Sequence, residues 1–201
     1  MDNDEIERVL FKAAVFDIEC MDFTAGGATN YLICTTILPL AELDWPVTYR
    51  LEWRDKRNDK RLLKKVIAAL EEFDILIGHN IAAFDFNWLN TRIMYHGLPE
   101  IKVPWLYYDT YQASKRMAIK AKRKSLGFLC DFFRITGDNE KTSVLPVEWG
   151  DINSPVKAEF EAAMESITYH CEQDTILNRK LFDVLWPRDK AVKNMPKAKK
   201  W

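Results

Sequence analysis

Apolar residues fall in short runs over the first quarter of the chain, and polar or turn-forming residues separate the runs. The run at 12–20 ends in the acidic residues of FDIEC, and the runs at 30–38 and 46–53 are rich in β-branched and aromatic side chains. Runs of this length and composition favour strands over helices. The pattern therefore predicts a meander of three strands.

The pattern changes after residue 58, where apolar positions begin to recur every three or four residues. Residues 59–73 place them on one helical stripe, with Asp59 predicted as the N-cap. Strands predicted at 74–80 and 103–110 flank a second helix, which ends at Gly97. Strands that alternate with helices after a meander indicate an α/β fold with a mixed five-stranded sheet.

The second half of the chain is predicted to be mainly helical. We expect a helix near 125–135, a turn-rich loop over 136–155 and one long helix over 156–186. The organisation predicted is a single domain at 1–187, followed by a basic, flexible tail at 188–201.

Composition excludes some classes of function. With 201 residues, 48% of them hydrophobic and 29% charged, the chain is typical of one globular domain. Its net charge of −1 gives no overall attraction to nucleic acid, so any such binding has to come from local clusters. Scattered cysteines, an acidic start and short apolar segments favour a cytoplasmic protein with no membrane contact.

Acidic residues close predicted elements from three distant parts of the chain. Asp17 and Glu19 end the first strand on one face, Asp85 follows the fourth strand, and Asp174 lies in the last helix. Ligands of α/β sheets gather at the carboxyl ends of central strands, where these acids can converge. Clustered carboxylates suit Mg²⁺ or Mn²⁺. The alternatives for the individual acids are a solvated strand end, a helix N-cap and an exposed helix face.

Three segments carry a family resemblance. In chain order, FDIEC, IGHNIAAFDFNWLNTR and YHCEQD resemble the three exonuclease motifs of the DEDD superfamily. This superfamily includes the DnaQ-like and DNA-polymerase proofreading 3′–5′ exonucleases of the ribonuclease-H-like fold. YYDT and KSLGFLCDFF are similar to further family features, so the resemblance covers roughly residues 12–185. The first motif most resembles the version found in family B polymerases.

The resemblance implies a ribonuclease-H-like single domain in which helices flank the mixed sheet. It implies that the four acids hold two divalent ions, Mg²⁺ or Mn²⁺, which activate a water and stabilise the departing 3′ oxygen. The products would be nucleoside 5′-monophosphates, released from single-stranded DNA or frayed 3′ ends. Asn80 and Phe84 match positions that support the site. Ile18 either packs under the terminal nucleotide or belongs to the core.

The last motif departs from the superfamily pattern, in which Tyr stands four residues before the final Asp or His stands five before it. Here His170 stands four residues before Asp174 and Tyr169 stands five before it. On a continuous helix with about 100° per residue, His170 shares a face with Asp174, whereas Tyr169 lies about 140° away. An imidazole also accepts a proton at neutral pH more readily than a phenol. Both arguments favour His170 as the general base, and Tyr169 is the alternative if the helix begins later.

A basic run at 115–124 contains no acidic residue. Such a run is usually a solvated face. Beside a site that cuts phosphodiesters, it becomes a candidate track for a single strand through Lys122, Arg123 and Lys124, with Lys141 in the following loop.

Three functions stay open at this point. The first is a stand-alone metal-dependent 3′–5′ exonuclease acting on DNA. The second is an exoribonuclease or oligonucleotide nuclease, because contacts to the 2′ position of the sugar are not identifiable from sequence. The third is a proofreading-type subunit that works with a polymerase or another replication protein.

Overall fold

The structure is a computed structural model that describes residues 12–23, 25, 29–41, 45–101, 106–135 and 146–191, without the side chains of 146–148. Lys141, most of the predicted tail and part of the predicted fifth strand lie outside these ranges. In the described part of the chain, no helix is both long and apolar enough to cross a bilayer.

One mixed sheet organises the described residues. Its strands are β1 (Ala13–Cys20), β2 (Leu32–Pro39), β3 (Val47–Arg50), β4 (Ile75–Gly78) and β5 (Tyr107–Asp109). Their order is β3-β2-β1-β4-β5. The strands β1, β2 and β3 pair antiparallel, and β4 adds parallel to β1 and β5 parallel to β4. The predicted five-stranded mixed sheet of the ribonuclease-H-like fold is thereby confirmed.

Helices pack against both faces of this sheet. Their bounds are α1 (Lys60–Leu70), α2 (Asp85–Tyr95), α3 (Thr110–Arg116), α4 (Leu126–Phe132), α5 (Pro146–Asp151) and α6 (Lys157–Leu185). Alternate residues of β1 enter two cores, as the strand pleat requires. Phe16 packs in a core with α1 and α2, and Val15 packs in another with α4 and the C-terminal half of α6.

One prediction about local structure was wrong, and a second was confirmed in position but not in its contacts. The turn-rich loop expected over 136–155 contains α5, because Pro is compatible with a first helical turn and Trp149 anchors the segment to the core. Asp59 stands at the N-cap position of α1, but its side chain does not cap the helix. It is fully buried, where it accepts hydrogen bonds from Arg92 and from the Leu32 N–H.

The packed part of the chain continues beyond residue 187. Asp189 is buried and accepts hydrogen bonds from Tyr108 Oη at 3.2 Å and from Arg116 Nη2 at 2.5 Å. The first residues after α6 are therefore attached to β5 and α3.

Candidate active site

The end of β1 presents two acidic side chains to one face of the sheet. Asp17 and Glu19 alternate with Ile18, which is buried in the core, so the pleat directs both carboxylates to the opposite face. Antiparallel pairing with β2 continues to this point, where Glu19 lies opposite Cys34. The ladder of backbone hydrogen bonds thus fixes the main chain beneath both carboxylates.

Helix α6 passes over these two residues. Cys171 Sγ donates to the main-chain O and to Oδ2 of Asp17, at 3.6 and 3.7 Å. His170 Nε2 lies 3.6 Å from Glu19 Oε1 and 4.0 Å from Asp174 Oδ2. The last helix therefore brings His170 and Asp174 to the end of β1.

Asp85 reaches β1 from the side of β4. That strand ends at Gly78, where an added Cβ would lie 2.7 Å from Cβ of Ile81, so only glycine fits. Asn80 then adopts a left-handed backbone with φ of 64°, which Asn tolerates better than most residues. Asp85 follows as the first residue of α2, and only 4% of its surface is exposed. Its carboxylate accepts a hydrogen bond from the Ile18 N–H, between the two acids of β1.

The four carboxylates form one electrostatic cluster. Burial raises the pKa of Asp17 well above its usual range, and three neighbouring carboxylates raise it further. These neighbours are Glu19, Asp85 and Asp174. Burial also raises the pKa of Asp85 to about 7, with a further contribution from the charge of Asp109. A proton or a cation would relieve the repulsion within the cluster.

The donor set fits a hard divalent cation. Among the residues that the structure describes, no three His, Cys, Asp or Glu side chains are already close enough together to hold a metal ion. Carboxylate oxygens are nevertheless the ligands that Mg²⁺ and Mn²⁺ prefer, and burial and like charge favour added positive charge here. Cys171 is a poor further ligand, because burial raises the pKa of its thiol. The carboxylates would have to move closer together around an ion.

Tyr169 and His170 point in different directions. Both lie well inside α6, which is continuous from Lys157 to Leu185. The regular helical spacing that places His170, and not Tyr169, on the face of Asp174 therefore applies. His170 faces Glu19 with a side chain that is 16% exposed, whereas Tyr169 is 48% exposed. The assignment of His170 as general base stays a prediction, and its geometry favours it over Tyr169.

An exposed aromatic side chain was missed by the sequence analysis. Phe23 follows β1 and is 88% exposed, and its ring meets that of Phe84 edge-on at a centroid distance of 6.0 Å. Phe84 directly precedes Asp85. The available signal was an aromatic residue four positions after Glu19, in a turn-rich segment.

The basic run lies beside the end of β4. His79 Nε2 is 2.8 Å from the carbonyl oxygen of Lys124, and Lys124 Nζ donates to the carbonyl oxygen of Ile119 at 2.9 Å. Lys124 therefore takes part in holding its own turn together. Lys122 and Arg123 are exposed to solvent.

Comparisons with known proteins give a fold but no family. No protein-family model and no curated protein matches the chain in sequence. Its structure is similar to that of the family B DNA polymerase from the hyperthermophilic archaeon Pyrobaculum calidifontis, with a TM-score of 0.71 and 16% sequence identity. The alignment covers 92% of this chain and 26% of the polymerase, so the chain spans about a quarter of the polymerase's length. At this identity the likeness shows a shared fold.

Proposed function

We propose that this protein is a divalent-metal-dependent 3′–5′ exonuclease that hydrolyses single-stranded DNA or frayed 3′ ends to nucleoside 5′-monophosphates. The observation that carries the proposal is the convergence of four carboxylates, from three separate segments, at one end of the sheet. The order of the three motifs and the fold shared with a DNA polymerase support nucleic acid as the substrate.

Each part of the site has a role in this proposal. Asp17, Glu19, Asp85 and Asp174 would hold the cations. When bound, the ions would supply Lewis-acid activation of a water and charge stabilisation at the leaving 3′ oxygen. His170 accepts the proton of the water at Nε2, the atom that faces Glu19. Only 16% of that side chain is exposed, which limits the orientations open to the ring before substrate arrives.

Substrate binding is assigned to surfaces beside the carboxylates. The exposed ring of Phe23 offers a face on which a base can stack, and Phe84 contacts that ring edge-on. Lys122 and Arg123 provide positive charge for the backbone of a single strand. These contacts involve no base edge, so the expected activity is independent of sequence.

A direct test uses 5′-labelled DNA, a matched RNA and a closed circular single strand, each with Mg²⁺, with Mn²⁺ or with chelator. The expected result is a ladder of DNA products that shorten from the 3′ end, release of nucleoside 5′-monophosphates, resistance of the circle and loss of activity with chelator. Faster digestion of the RNA would instead indicate an exoribonuclease. Cleavage of the circle, or activity with chelator, would contradict the proposal.

The basic run is tested by charge reversal. Lys122→Glu combined with Arg123→Glu should raise KM for long strands and weaken its salt dependence, because fewer counterions are released on binding. Lys60→Glu combined with Lys64→Glu is the matched control, since both are exposed residues of α1. Equal effects of the two double variants would exclude a specific track at 122–123.

A second candidate function is a proofreading-type subunit. The observation that favours it is that the fold corresponds to about a quarter of a polymerase chain. The same digestion assay, repeated with a primer terminus and a replicative polymerase, distinguishes the two. A large increase in rate on addition of the polymerase would favour the subunit.

A further inference from the structure

The end of β5 connects two of the segments that carry acids. Asp109, the last residue of that strand, holds the loop that leads from β4 to α2. Its Oδ1 accepts from the N–H groups of Asn80 at 3.0 Å and Gln112 at 3.1 Å, and its Oδ2 lies 3.5 Å from the N–H of Ala82. Because Asn80 has a left-handed backbone, these bonds fix an uncommon turn five residues before Asp85.

Thr110 connects the same loop to α6. Its Oγ1 lies 2.9 Å from Oδ1 of Asn178 and 2.9 Å from Nδ1 of His79. Asn178 stands one helical turn after Asp174 on α6. Thr110 and Asn178 are both buried, so water does not compete for these bonds.

The link survives either protonation state of His79. Its Nε2 faces the carbonyl oxygen of Lys124, which only accepts, so Nε2 carries a proton. In the neutral imidazole, Nδ1 accepts the Thr110 hydroxyl proton, and Asn178 turns its NH₂ group towards the Thr110 oxygen. In the imidazolium, Nδ1–H donates to Thr110, which donates to Asn178 Oδ1. The Thr110 hydroxyl bridges loop and helix in both cases.

We propose that Asp109 and Thr110 are positioning residues that set the distance between the loop that leads to Asp85 and the helix bearing Asp174. This inference rests on the proposed function. Like-charged carboxylates push one another apart, so the spacing needed to share a cation has to be imposed by contacts outside the cluster. The dipeptide supplies such contacts to both segments.

The test measures Mn²⁺ binding by the full chain, from the electron paramagnetic resonance signal of free Mn²⁺, with circular dichroism to verify folding. Thr110→Val keeps the shape and removes the hydroxyl, and should raise the Kd for Mn²⁺ about tenfold or more. Thr110→Ser keeps the hydroxyl and should stay within about threefold of the wild type. Tyr108→Phe is the control, because it removes a buried hydroxyl whose partner, Asp189, is not one of the four proposed metal ligands.

A purely structural role predicts a different result. Thr110→Val and Tyr108→Phe would then both lower Tm and leave the Kd of the folded protein unchanged, which would overturn the inference. If Thr110→Val does not fold, Asn178→Ala breaks the same link from α6 and decides the question in the same way. Absence of Mn²⁺ binding by the wild type would overturn the proposed function as well, whereas normal binding by folded variants would overturn the positioning role alone.

Discussion

Two clusters of buried charge can be compared in this molecule. Around Asp59, two cation-forming side chains meet one carboxylate: Arg92 donates to both of its oxygens at 2.6 and 3.0 Å, and His96 Nε2 lies 2.6 Å from Oδ1. Around Asp17, three further carboxylates gather, and burial with like charge raises its pKa. The first cluster neutralises itself, and the second favours added positive charge.

The difference separates a structural brace from a binding site. Arg92 and Asp59 join α2 to the start of α1, and the Leu32 N–H adds β2 to the same carboxylate. The charge of Asp59 is already neutralised by Arg92, so this pair does not attract a charged ligand. A cluster of acids in which burial and like charge raise the pKa of a carboxyl group lowers stability in exchange for function, which is typical of sites that bind cations.

The largest expected effect comes from breaking the acidic cluster. Asp174→Asn should lower nuclease turnover by roughly three orders of magnitude or more, because the cations lose a ligand. Mn²⁺ is expected to raise the Tm of the wild type, and the same variant should lose that rise. Asp183→Asn, an exposed carboxylate on the same helix, is the matched control in rate and melting experiments. Normal turnover by folded Asp174→Asn would refute the metal site.

Each cluster contains one histidine, and the two should behave differently. His170→Ala should lower kcat by about 10² to 10⁴ with a smaller change in KM, the usual range for a positioned base. His96→Ala should leave kcat unchanged and lower stability, since its imidazole contacts Asp59. Tyr169→Phe should have little effect on kcat. Steady-state kinetics with all three variants checks this ranking. Loss of activity in Tyr169→Phe, with His170→Ala still active, would assign the base to Tyr169.

Breaking the self-neutralised cluster should change stability and not chemistry. Arg92→Leu should lower the free energy of unfolding by about 3–5 kcal/mol, because it leaves the Asp59 charge buried without its guanidinium. Arg50→Ala removes an exposed pair with Glu161 at 3.5 Å and should lower it by about 1 kcal/mol or less. Urea denaturation of both variants gives the two values. Equal losses would mean that the Asp59 cluster is not a brace.

The smallest expected effect is a dependence of stability on pH. The pKa of Asp85 in the fold, about 7, exceeds its value of about 4 in an unfolded chain, so the folded state holds the proton between these limits. The stabilisation is complete below about pH 4 and is lost as pH rises through about 7. Metal-free protein should therefore be about 1–3 kcal/mol less stable at pH 7.5 than at pH 5. Asp85→Asn should reduce that difference in urea denaturation with chelator, and an unchanged difference would contradict the assignment.

Local patterns were sufficient to predict most elements of the fold. The buried strands β1, β2 and β4 are short runs of mostly apolar residues, and α1 and α6 follow a helical period, so each is specified by residues close in sequence. The prediction failed for α5, where Pro146 and Gly150 carry the composition of a turn but packing stabilises a helix.

Tertiary contacts explain what sequence reasoning missed near the site. The local sequence around Asp59 predicts a side chain that caps α1. Its partners Arg92 and His96 lie 33 and 37 residues further along the chain, so local sequence does not reveal them. The bridging position of Thr110 depends on Asn178, 68 residues away. The four acids were predicted from local motifs in a recognisable order, and the fold brings their carboxylates near one another.

The length and position of α6 have a consequence for the newly made chain. When residues up to 155 have been synthesised, all five strands and three of the acids exist, but neither His170 nor Asp174 does. The meander can pair early because its strands are neighbours in sequence. The proposed catalytic site is completed only when α6 has left the ribosome and docked across the sheet. During translation, the nascent protein would therefore be unable to degrade the nucleic acids around it until nearly the whole domain has been made.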